Sequence, residues 1–125
     1  MDVSFMQHAD CKTVFLQMGK EDVNCLDNTM KALSANTVDA AMEKHVPALE
    51  YKDGKLYVQV GSVEHPMLAE HYIEWIFVQT KDGGMFKNLT PGAAPRAEFS
   101  VAQDDIIAVY EFCNIHGLWK ADFNK

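Results

Sequence analysis

Polar and apolar residues alternate over several short segments after residue 36, and this period of two is typical of β-strands. In Lys55–Val60 every second residue is apolar, which predicts a strand with one buried face. Asp53 and Gly54 precede this segment and form a dipeptide that favours a tight turn. Tyr72–Thr80 is apolar at both alternating sets of positions, so we expect a central strand that is covered on both sides.

The alternation in this central segment places Ile73 on the same face as Trp75, and it places Ile76 and Val78 on the opposite face. Turn signals separate three further predicted strands, at Met85–Leu89, Ala97–Val101 and Ile106–Cys113. Short strands that follow one another at intervals of about 8–12 residues are typical of an antiparallel sandwich or barrel. The sequence therefore predicts an all-β fold.

The pattern is different at the N-terminal side of these strands. Asn36–Lys44 is a candidate short helix, with Asn36 or Thr37 as its N-cap. The residues before Ser34 are rich in methionine, contain scattered Asp, Asn and Lys, and show no clear period. We therefore expect a short irregular N-terminal segment ahead of the β domain.

Composition restricts the partners and the location of the protein. The 125 residues suffice for one domain with a real core, and the net charge of −7 argues against nucleic acid or an anionic membrane as the main partner. The first residues do not form a secretory signal, and no apolar run reaches the ~18 residues of a membrane span. The odd set of cysteines, Cys11, Cys25 and Cys113, then indicates free thiols in a reducing cytoplasm.

Four of the five histidines lie in loops or at the ends of predicted elements: His45, His65, His71 and His116. Cys113 ends the last predicted strand, three residues before His116. Because the ends of distant strands can meet at one rim of a two-layer fold, these side chains could come together. A single loop histidine is most often solvated, and a single cysteine is most often a core residue. Five such groups at strand ends make a metal centre a serious alternative.

The donor set itself favours some metals over others. A structural zinc site takes four ligands, and four imidazoles with one thiolate exceed that number. A blue-copper site takes two His, one Cys and a weak axial Met, and no Met follows His116 in its loop. Four imidazoles with an axial thiolate suit iron and leave one position open for a small ligand, as in haem–thiolate enzymes.

Four segments, in the same order along the chain, resemble signature segments of the superoxide reductases, the neelaredoxin and desulfoferrodoxin family. They are Glu43–Pro47 (E-K-H-x-P), Gly61–Met67, His71–Ile76 (H-Y-I-x-W) and Cys113–Trp119 (C-N-x-H-G-x-W). Asn36–Ala41 is similar to the segment that leads into the site of these proteins. The resemblance extends over about Asn36–Lys120.

The resemblance implies an immunoglobulin-like antiparallel β-sandwich of seven strands and one iron ion (Fe2+/Fe3+) per chain. It implies His45, His65 and His71 as ligands through Nε2, His116 as a ligand through Nδ1, and Cys113 as the axial thiolate. The implied activity is the one-electron reduction of superoxide to hydrogen peroxide, with a rubredoxin-type protein as the electron donor. Relatives form dimers or tetramers, so we expect a homo-oligomer, most simply a dimer.

The resemblance also assigns roles to residues around the ligands. Lys44 would attract the anionic substrate, and Glu43 would occupy the sixth position of the oxidised iron. Lys120 could add to the positive patch. Backbone N–H groups of Ile115 and His116 could point at the Cys113 sulfur and tune the iron.

The N-terminal segment departs from the desulfoferrodoxins, which bind a second iron with four cysteines. Cys11 and Cys25 can stand for two of these ligands, but His8 and Leu26 occupy the other two positions. A rubredoxin-like site needs all four thiolates. We therefore expect residues 1–35 to be a degenerate desulforedoxin-like segment without its own iron, and residues 36–125 to form the iron domain.

Two functions of other classes remain as alternatives. A cupredoxin-type electron carrier would need copper, a Met ligand and no open position. A metal-free immunoglobulin-like interaction module would not need four histidines at strand ends. Trp119, close to Cys113, is either part of a docking site for the electron donor or an aromatic residue of the core.

Overall fold

The computed structural model describes residues 3–19 and 28–124. The chain forms two compact units, Met1–Ser34 and Ala35–Lys125. In the described part of the chain, no helix is long and apolar enough to cross a membrane. Cys25 and Leu26 lie outside the described residues, so the structure does not test their roles.

The N-terminal unit contains an antiparallel sheet rather than the irregular segment that we expected. Strand β1 (Val3–His8) pairs with β2 (Val14–Met18) on one side and with β3 (Met30–Ala32) on the other. The expectation was wrong because neighbouring apolar residues, such as Phe15 and Leu16, break the period of two that marks a half-buried strand. Backbone pairing forms the sheet despite this irregular pattern.

The second unit contains two antiparallel sheets, a short α-helix, α1 (Met42–His45), and a 3-10 helix, Gln103–Asp105. Its strands, in chain order, are β4 (Pro47–Lys52), β5 (Lys55–Val60), β6 (Ile73–Thr80), β7 (Gly83–Asn88), β8 (Arg96–Ser100), β9 (Ile106–Cys113) and β10 (Gly117–Asp122). One sheet has the order β10-β9-β6-β7, and the other has the order β4-β5-β8. The all-β prediction with antiparallel sheets is confirmed.

The hydrophobic core lies between these two sheets. Leu56 and Val58 of β5 pack in one cluster with Ile76 and Val78 of β6 and with Val109 of β9. At about 25 cal/mol per Å² of buried apolar surface, a fully buried side chain of this kind contributes roughly 1.5–3 kcal/mol. The core therefore fixes the relative position of the two sheets, and with it the strand ends at which the candidate ligands lie.

Strand β6 is central, between β9 and β7, as its two apolar faces predicted. The expected face of Ile73 was wrong, however. Ile73 pairs with Cys113 while Trp75 pairs with Phe112, so β6 has one extra residue at this point, which forms a β-bulge. The bulge changes the alternation, and Ile73 packs in the core with Ile76 and Val78.

The expected helix over Asn36–Lys44 is shorter and starts later than the sequence indicated. Asn36 has a positive φ of 61° and is not an N-cap. Its side chain pairs with the backbone of β10: Nδ2 donates to the Lys120 carbonyl at 3.0 Å, and Oδ1 accepts from the Lys120 N–H at 2.8 Å. The polar group that could have capped a helix is therefore used to attach this segment to the sheet.

Candidate metal centre

The five candidate ligands come from four places at one end of the sandwich. His45 is the last residue of α1, and Cys113 is the last residue of β9. His65 and His71 lie in the connection from β5 to β6, and His116 lies in the turn from β9 to β10. The sequence analysis predicted such a meeting of strand ends at one rim, and the structure brings all five side chains together.

The four imidazoles form a ring of edge-to-face neighbours. Consecutive ring centroids are 4.7 Å apart for His45 and His65, 4.6 Å for His65 and His71, 5.1 Å for His71 and His116, and 4.9 Å for His116 and His45. The diagonal from His45 to His71 is 6.5 Å. Ligand atoms of His45, His65, His71 and Cys113 all lie within 4.8 Å of one another. The nitrogens therefore surround a space of the size of one metal ion.

The Cys113 sulfur lies against this ring and is fully buried. Its Sγ is 3.6 Å from His65 Nε2 and 4.0 Å from His116 Nδ1. The backbone N–H of His116 donates to Sγ at 3.4 Å. Burial raises the pKa of the Cys113 thiol, and hydrogen bonds from the His116 and Ile115 backbones act in the opposite direction. The expected amide contacts to the sulfur are therefore present.

Backbone carbonyls orient two of the imidazoles. His45 Nδ1 is 2.7 Å from the Ala41 carbonyl oxygen, and His65 Nδ1 is 2.6 Å from that of Pro66. Because a carbonyl only accepts, Nδ1 carries the proton in both rings and Nε2 keeps a free lone pair. The Nε2 lone pairs of both rings are thus available to a metal ion.

The remaining nitrogens also fit a metal ion. His71 Nε2 is buried and has no hydrogen-bond partner among the described residues. His45 Nε2 and His116 Nδ1 are 3.1 Å apart. Two nitrogens each about 2.1 Å from one ion, at right angles, lie about 3.0 Å apart, taking zinc–imidazole lengths as a guide. An unpartnered buried nitrogen and this spacing indicate a set of donors that is complete with a metal ion.

Burial favours the neutral form of three imidazoles, those of His45, His65 and His71. Desolvation lowers the pKa of His45 and His71, and it lowers the pKa of His65 to about 4. Neighbouring imidazoles act in the same direction in all three cases. Neutral rings are the form that binds a metal, so the lowered pKa values of these three histidines favour metal binding.

A cavity of about 360 Å³ adjoins the imidazoles and is lined also by Ala40, Ala41, Pro66 and Lys44. Lys44 is exposed, and its ammonium contributes, after burial and the neighbouring ring, to the lowered pKa of His71. The alanine and proline side chains in its wall are small and apolar. The cavity therefore combines an apolar wall with one positive charge beside the imidazoles.

Glu43 is placed differently from its neighbour Lys44. Its side chain is exposed and is not among the residues that line the cavity. Its backbone carbonyl accepts hydrogen bonds from the Val63 N–H at 2.8 Å and from the Ser62 hydroxyl at 3.3 Å. These contacts attach α1 to the connection that contains His65.

Gly61 allows this close approach of backbone segments. A Cβ atom at residue 61 would lie 2.6 Å from the Glu43 carbonyl oxygen and 2.9 Å from the Lys44 carbonyl carbon. Both atoms belong to the backbone of α1 and cannot rotate away. The position of His45 and Lys44 therefore depends on a residue without a side chain at position 61.

Two further residues with a possible role, Lys120 and Trp119, are not among the residues that line the cavity. Lys120 Nζ is 3.2 Å from Asp122 Oδ1 and 5.6 Å from the centroid of the Tyr110 ring. It does not line the cavity and its charge is paired with that of Asp122, so its expected contribution to the positive patch stays a prediction. Trp119 is only 1% exposed and stacks on His45 at a centroid distance of 4.8 Å. It supports the site from within and does not present a docking surface.

Glu111 is a buried carboxyl group that the sequence analysis missed. It lies on β9 two residues before Cys113, and both of its carboxyl oxygens are buried without a partner among the described residues. Burial raises its pKa well above the usual range. When ionised, this carboxyl group raises the pKa of the Cys113 thiol, and burial disfavours that charged form.

In the N-terminal unit, His8 accepts hydrogen bonds from the backbone of a turn. His8 Nδ1 accepts hydrogen bonds from the Asp10 N–H at 3.1 Å and from the Cys11 N–H at 3.2 Å. The Cys11 sulfur is 3.3 Å from the Thr13 hydroxyl oxygen. Within residues 3–19 and 28–34, no group of three metal-ligating side chains is gathered. Because Cys25 lies outside the described residues, the absence of a second iron stays a prediction.

Comparisons with known proteins bear on the identity of the chain. The family model of desulfoferrodoxin matches residues 37–122. The chain is 47% identical over 107 residues to a desulfoferrodoxin of Desulfarculus baarsii, covering 86% of this chain and 84% of the relative. It is 40% identical over 122 residues to a desulfoferrodoxin of Clostridium acetobutylicum, covering 98% and 96%.

The same likeness extends to a solved structure. The superoxide reductase from Treponema pallidum superimposes with a TM-score of 0.81 at 38% sequence identity, over 98% of this chain and 100% of that one. The family model includes every residue of the imidazole and thiol cluster, and the superposition includes nearly all of the chain. The chain belongs to the desulfoferrodoxin family.

Proposed function

We propose that the protein is a superoxide reductase with one iron ion, held by four imidazoles and one thiolate. The proposed ligands are His45, His65, His71, His116 and Cys113. The observation that carries the proposal is the meeting of the four imidazoles and the buried sulfur beside a small cavity, in a chain of the desulfoferrodoxin family. The reaction combines superoxide with one electron and two protons to give hydrogen peroxide.

The donor set supports iron over the alternatives. Four imidazoles exceed the needs of a structural zinc site, and a thiolate ligand would donate electron density to an iron ion held here. Iron bound here would supply the transferred electron and an open position for the substrate. Met67, between His65 and His71 in sequence, accepts a hydrogen bond from the Ile73 N–H at 3.4 Å, and this use of its sulfur does not favour the axial methionine of a copper site.

Cys113 provides the sulfur donor. A metal ion binds the thiolate and not the thiol, so loading the site releases the Cys113 proton. The N–H groups of His116 and Ile115 then stabilise the negative charge on sulfur and limit how much charge it donates. These residues would set the reduction potential of the centre.

Lys44 and Glu43 have different proposed roles. The Lys44 ammonium attracts the substrate anion to the cavity, against the unfavourable net charge of −7. The Glu43 carboxylate would occupy the open position after oxidation and leave it free after reduction. The exposed Glu43 side chain is next in sequence to a residue that lines the cavity, which supports this role. Protons would arrive from solvent through the same cavity.

The proposal also covers the electron donor, the oligomeric state and the cellular compartment. With one iron per chain, the electron comes from outside, and a rubredoxin-like protein is the proposed donor. We also propose a homo-oligomer, most simply a dimer, whose N-terminal unit binds no iron. The exposed free thiol of Cys11 supports a reducing cytoplasmic compartment.

Metal analysis with optical spectra tests this function against its two alternatives. The iron-loaded protein should contain one iron per chain, show a thiolate-to-iron charge-transfer band only when oxidised, and lose the band on reaction with a reductant. A copper carrier would show a copper–thiolate band. A metal-free interaction module would bind neither ion, and either of these results would overturn the proposal.

A further inference from the structure

The His71 imidazole is positioned differently from those of His45 and His65. Carbonyl oxygens orient the His45 and His65 rings through Nδ1. His71 Nε2 is buried without a hydrogen-bond partner among the described residues, and no hydrogen bond is among the causes that lower the pKa of the His71 ring. Second-nitrogen contacts of this kind normally fix the orientation of a metal-binding imidazole. The position of His71 must therefore depend on its backbone.

Hydrogen bonds hold the His71 backbone on both sides. On one side, the Leu68 N–H donates to the His71 carbonyl at 2.9 Å, and the His71 N–H donates to the Leu68 carbonyl at 3.1 Å. On the other side, the Asn114 carboxamide bonds to both neighbouring residues. Its Oδ1 accepts from the Tyr72 N–H at 2.9 Å, and its Nδ2 donates to the Glu70 carbonyl at 3.1 Å.

Asn114 is also part of the turn that contains Cys113 and His116. It follows Cys113 directly and precedes His116 by two residues, and its own N–H donates to the Tyr72 carbonyl at 3.2 Å. One side chain thus connects the His71 loop to the turn that carries the sulfur and the fourth imidazole. A carboxamide is suited to this task because it offers an acceptor and a donor on one short side chain.

We propose that Asn114 is a positioning residue that sets the location of the His71 imidazole relative to Cys113 and His116. It does so without touching a metal ion or a substrate, since both of its side-chain hydrogen bonds go to the backbone of residues 70 and 72. The proposal rests on the proposed function in so far as His71 is taken as a metal ligand. Its consequence is that removing the carboxamide weakens metal binding through His71 alone.

A cobalt(II) titration of the metal-free protein tests this consequence. Asn114→Ala should weaken cobalt binding roughly 10- to 100-fold, the usual effect of removing a group that orients a ligand. Asn88→Ala is the matched control, because it makes the same chemical change at an exposed residue of β7 outside the site, and it should leave the affinity unchanged. An Asn114→Ala protein with the affinity of the wild type would overturn the proposal.

A double-mutant cycle with His71→Ala separates a positioning role from a general loss of stability. If Asn114 acts through His71, Asn114→Ala should cost little further affinity in the His71→Ala protein. If Asn114→Ala lowered the cobalt affinity equally in the wild-type and the His71→Ala protein, Asn114 would not act through this imidazole. Asn114→Asp is the second variant: it keeps the acceptor for Tyr72 but sets a carboxylate against the Glu70 carbonyl, and it should still weaken binding despite its added negative charge.

Hydrogen exchange of the Tyr72 amide, measured by NMR on metal-free protein, gives a readout that needs no metal. Exchange should accelerate in Asn114→Ala and stay slow in Asn88→Ala. A wild-type protein that binds no cobalt would defeat the proposed metal centre, and the exchange experiment would then decide alone whether Asn114 fixes this loop. Unchanged Tyr72 exchange in Asn114→Ala would overturn the inference.

Discussion

Replacing Lys44 by alanine removes the positive charge that lines the cavity. For a superoxide anion about 6 Å from the ammonium, Coulomb attraction in a water-like dielectric is about 0.7 kcal/mol, which corresponds to about a threefold rate. The low-dielectric wall of Ala40, Ala41 and Pro66 strengthens the field. We therefore expect Lys44→Ala to slow the bimolecular reaction of the reduced protein with superoxide threefold to tenfold at low salt.

The assay is rapid mixing or pulsed generation of superoxide at two ionic strengths. Because the Debye length is about 8 Å at 0.15 M, salt should slow the wild type more than the variant. Lys120→Ala is the matched control: it makes the same change in net charge, but Lys120 pairs with Asp122 away from the cavity. Equal slowing by Lys44→Ala and Lys120→Ala would refute local steering and leave only an effect of net charge.

Four further changes test other parts of the site. Glu43→Ala should slow the first encounter less than Lys44→Ala does and should instead alter the spectrum of the oxidised iron; equal slowing would contradict the division of roles. Cys113→Ser should abolish most superoxide reduction while circular dichroism shows a folded sandwich, and full activity of an iron-loaded variant would end the account of the sulfur. Gly61→Ala should lower stability by about 1–3 kcal/mol in denaturant titration because its Cβ would meet backbone at 2.6 Å, whereas Gly83→Ala, with open space around it, is the control. Cys11→Ser combined with Cys25→Ser should leave iron at one per chain, and a loss of metal would reveal a second site.

The sequence predicted the central strand and its neighbours well because their patterns are strong. Tyr72–Thr80 is apolar on both faces, and Lys55–Val60 alternates without interruption, so burial alone assigns both. The strands Pro47–Lys52 and Gly117–Asp122 were missed. Charged residues within both segments weaken the alternation, and their pairing with β5 and β9 decides their conformation.

In the candidate site, too, some residues could be predicted from the sequence and others could not. The candidate ligands could be named from the sequence because the segments that contain them resemble those of a known family, whereas their residue types alone left a metal centre as one alternative. The groups that position them could not, because the Ala41 and Pro66 carbonyls are backbone atoms present in every residue type. Asn114 lay within a quoted segment, but only the fold shows that its partners are residues 70 and 72.

The burial of Trp119 shows a further limit of sequence reasoning. Both an interface aromatic and a core aromatic fit its position after His116. The structure assigns it to the core, where it stacks on His45 and donates its indole N–H to the His116 carbonyl at 3.1 Å. Such a choice depends on contacts between residues that are more than 70 positions apart, which no local pattern contains.

The ratio of products to superoxide tests the central claim most directly. The iron-loaded, reduced protein is mixed with less than one superoxide ion per iron, so that every superoxide can receive one electron, and hydrogen peroxide and dioxygen are both measured. A reductase at this centre forms one hydrogen peroxide for each superoxide consumed and releases no dioxygen. One hydrogen peroxide for every two superoxide ions, with release of dioxygen, would show dismutation and would contradict the account.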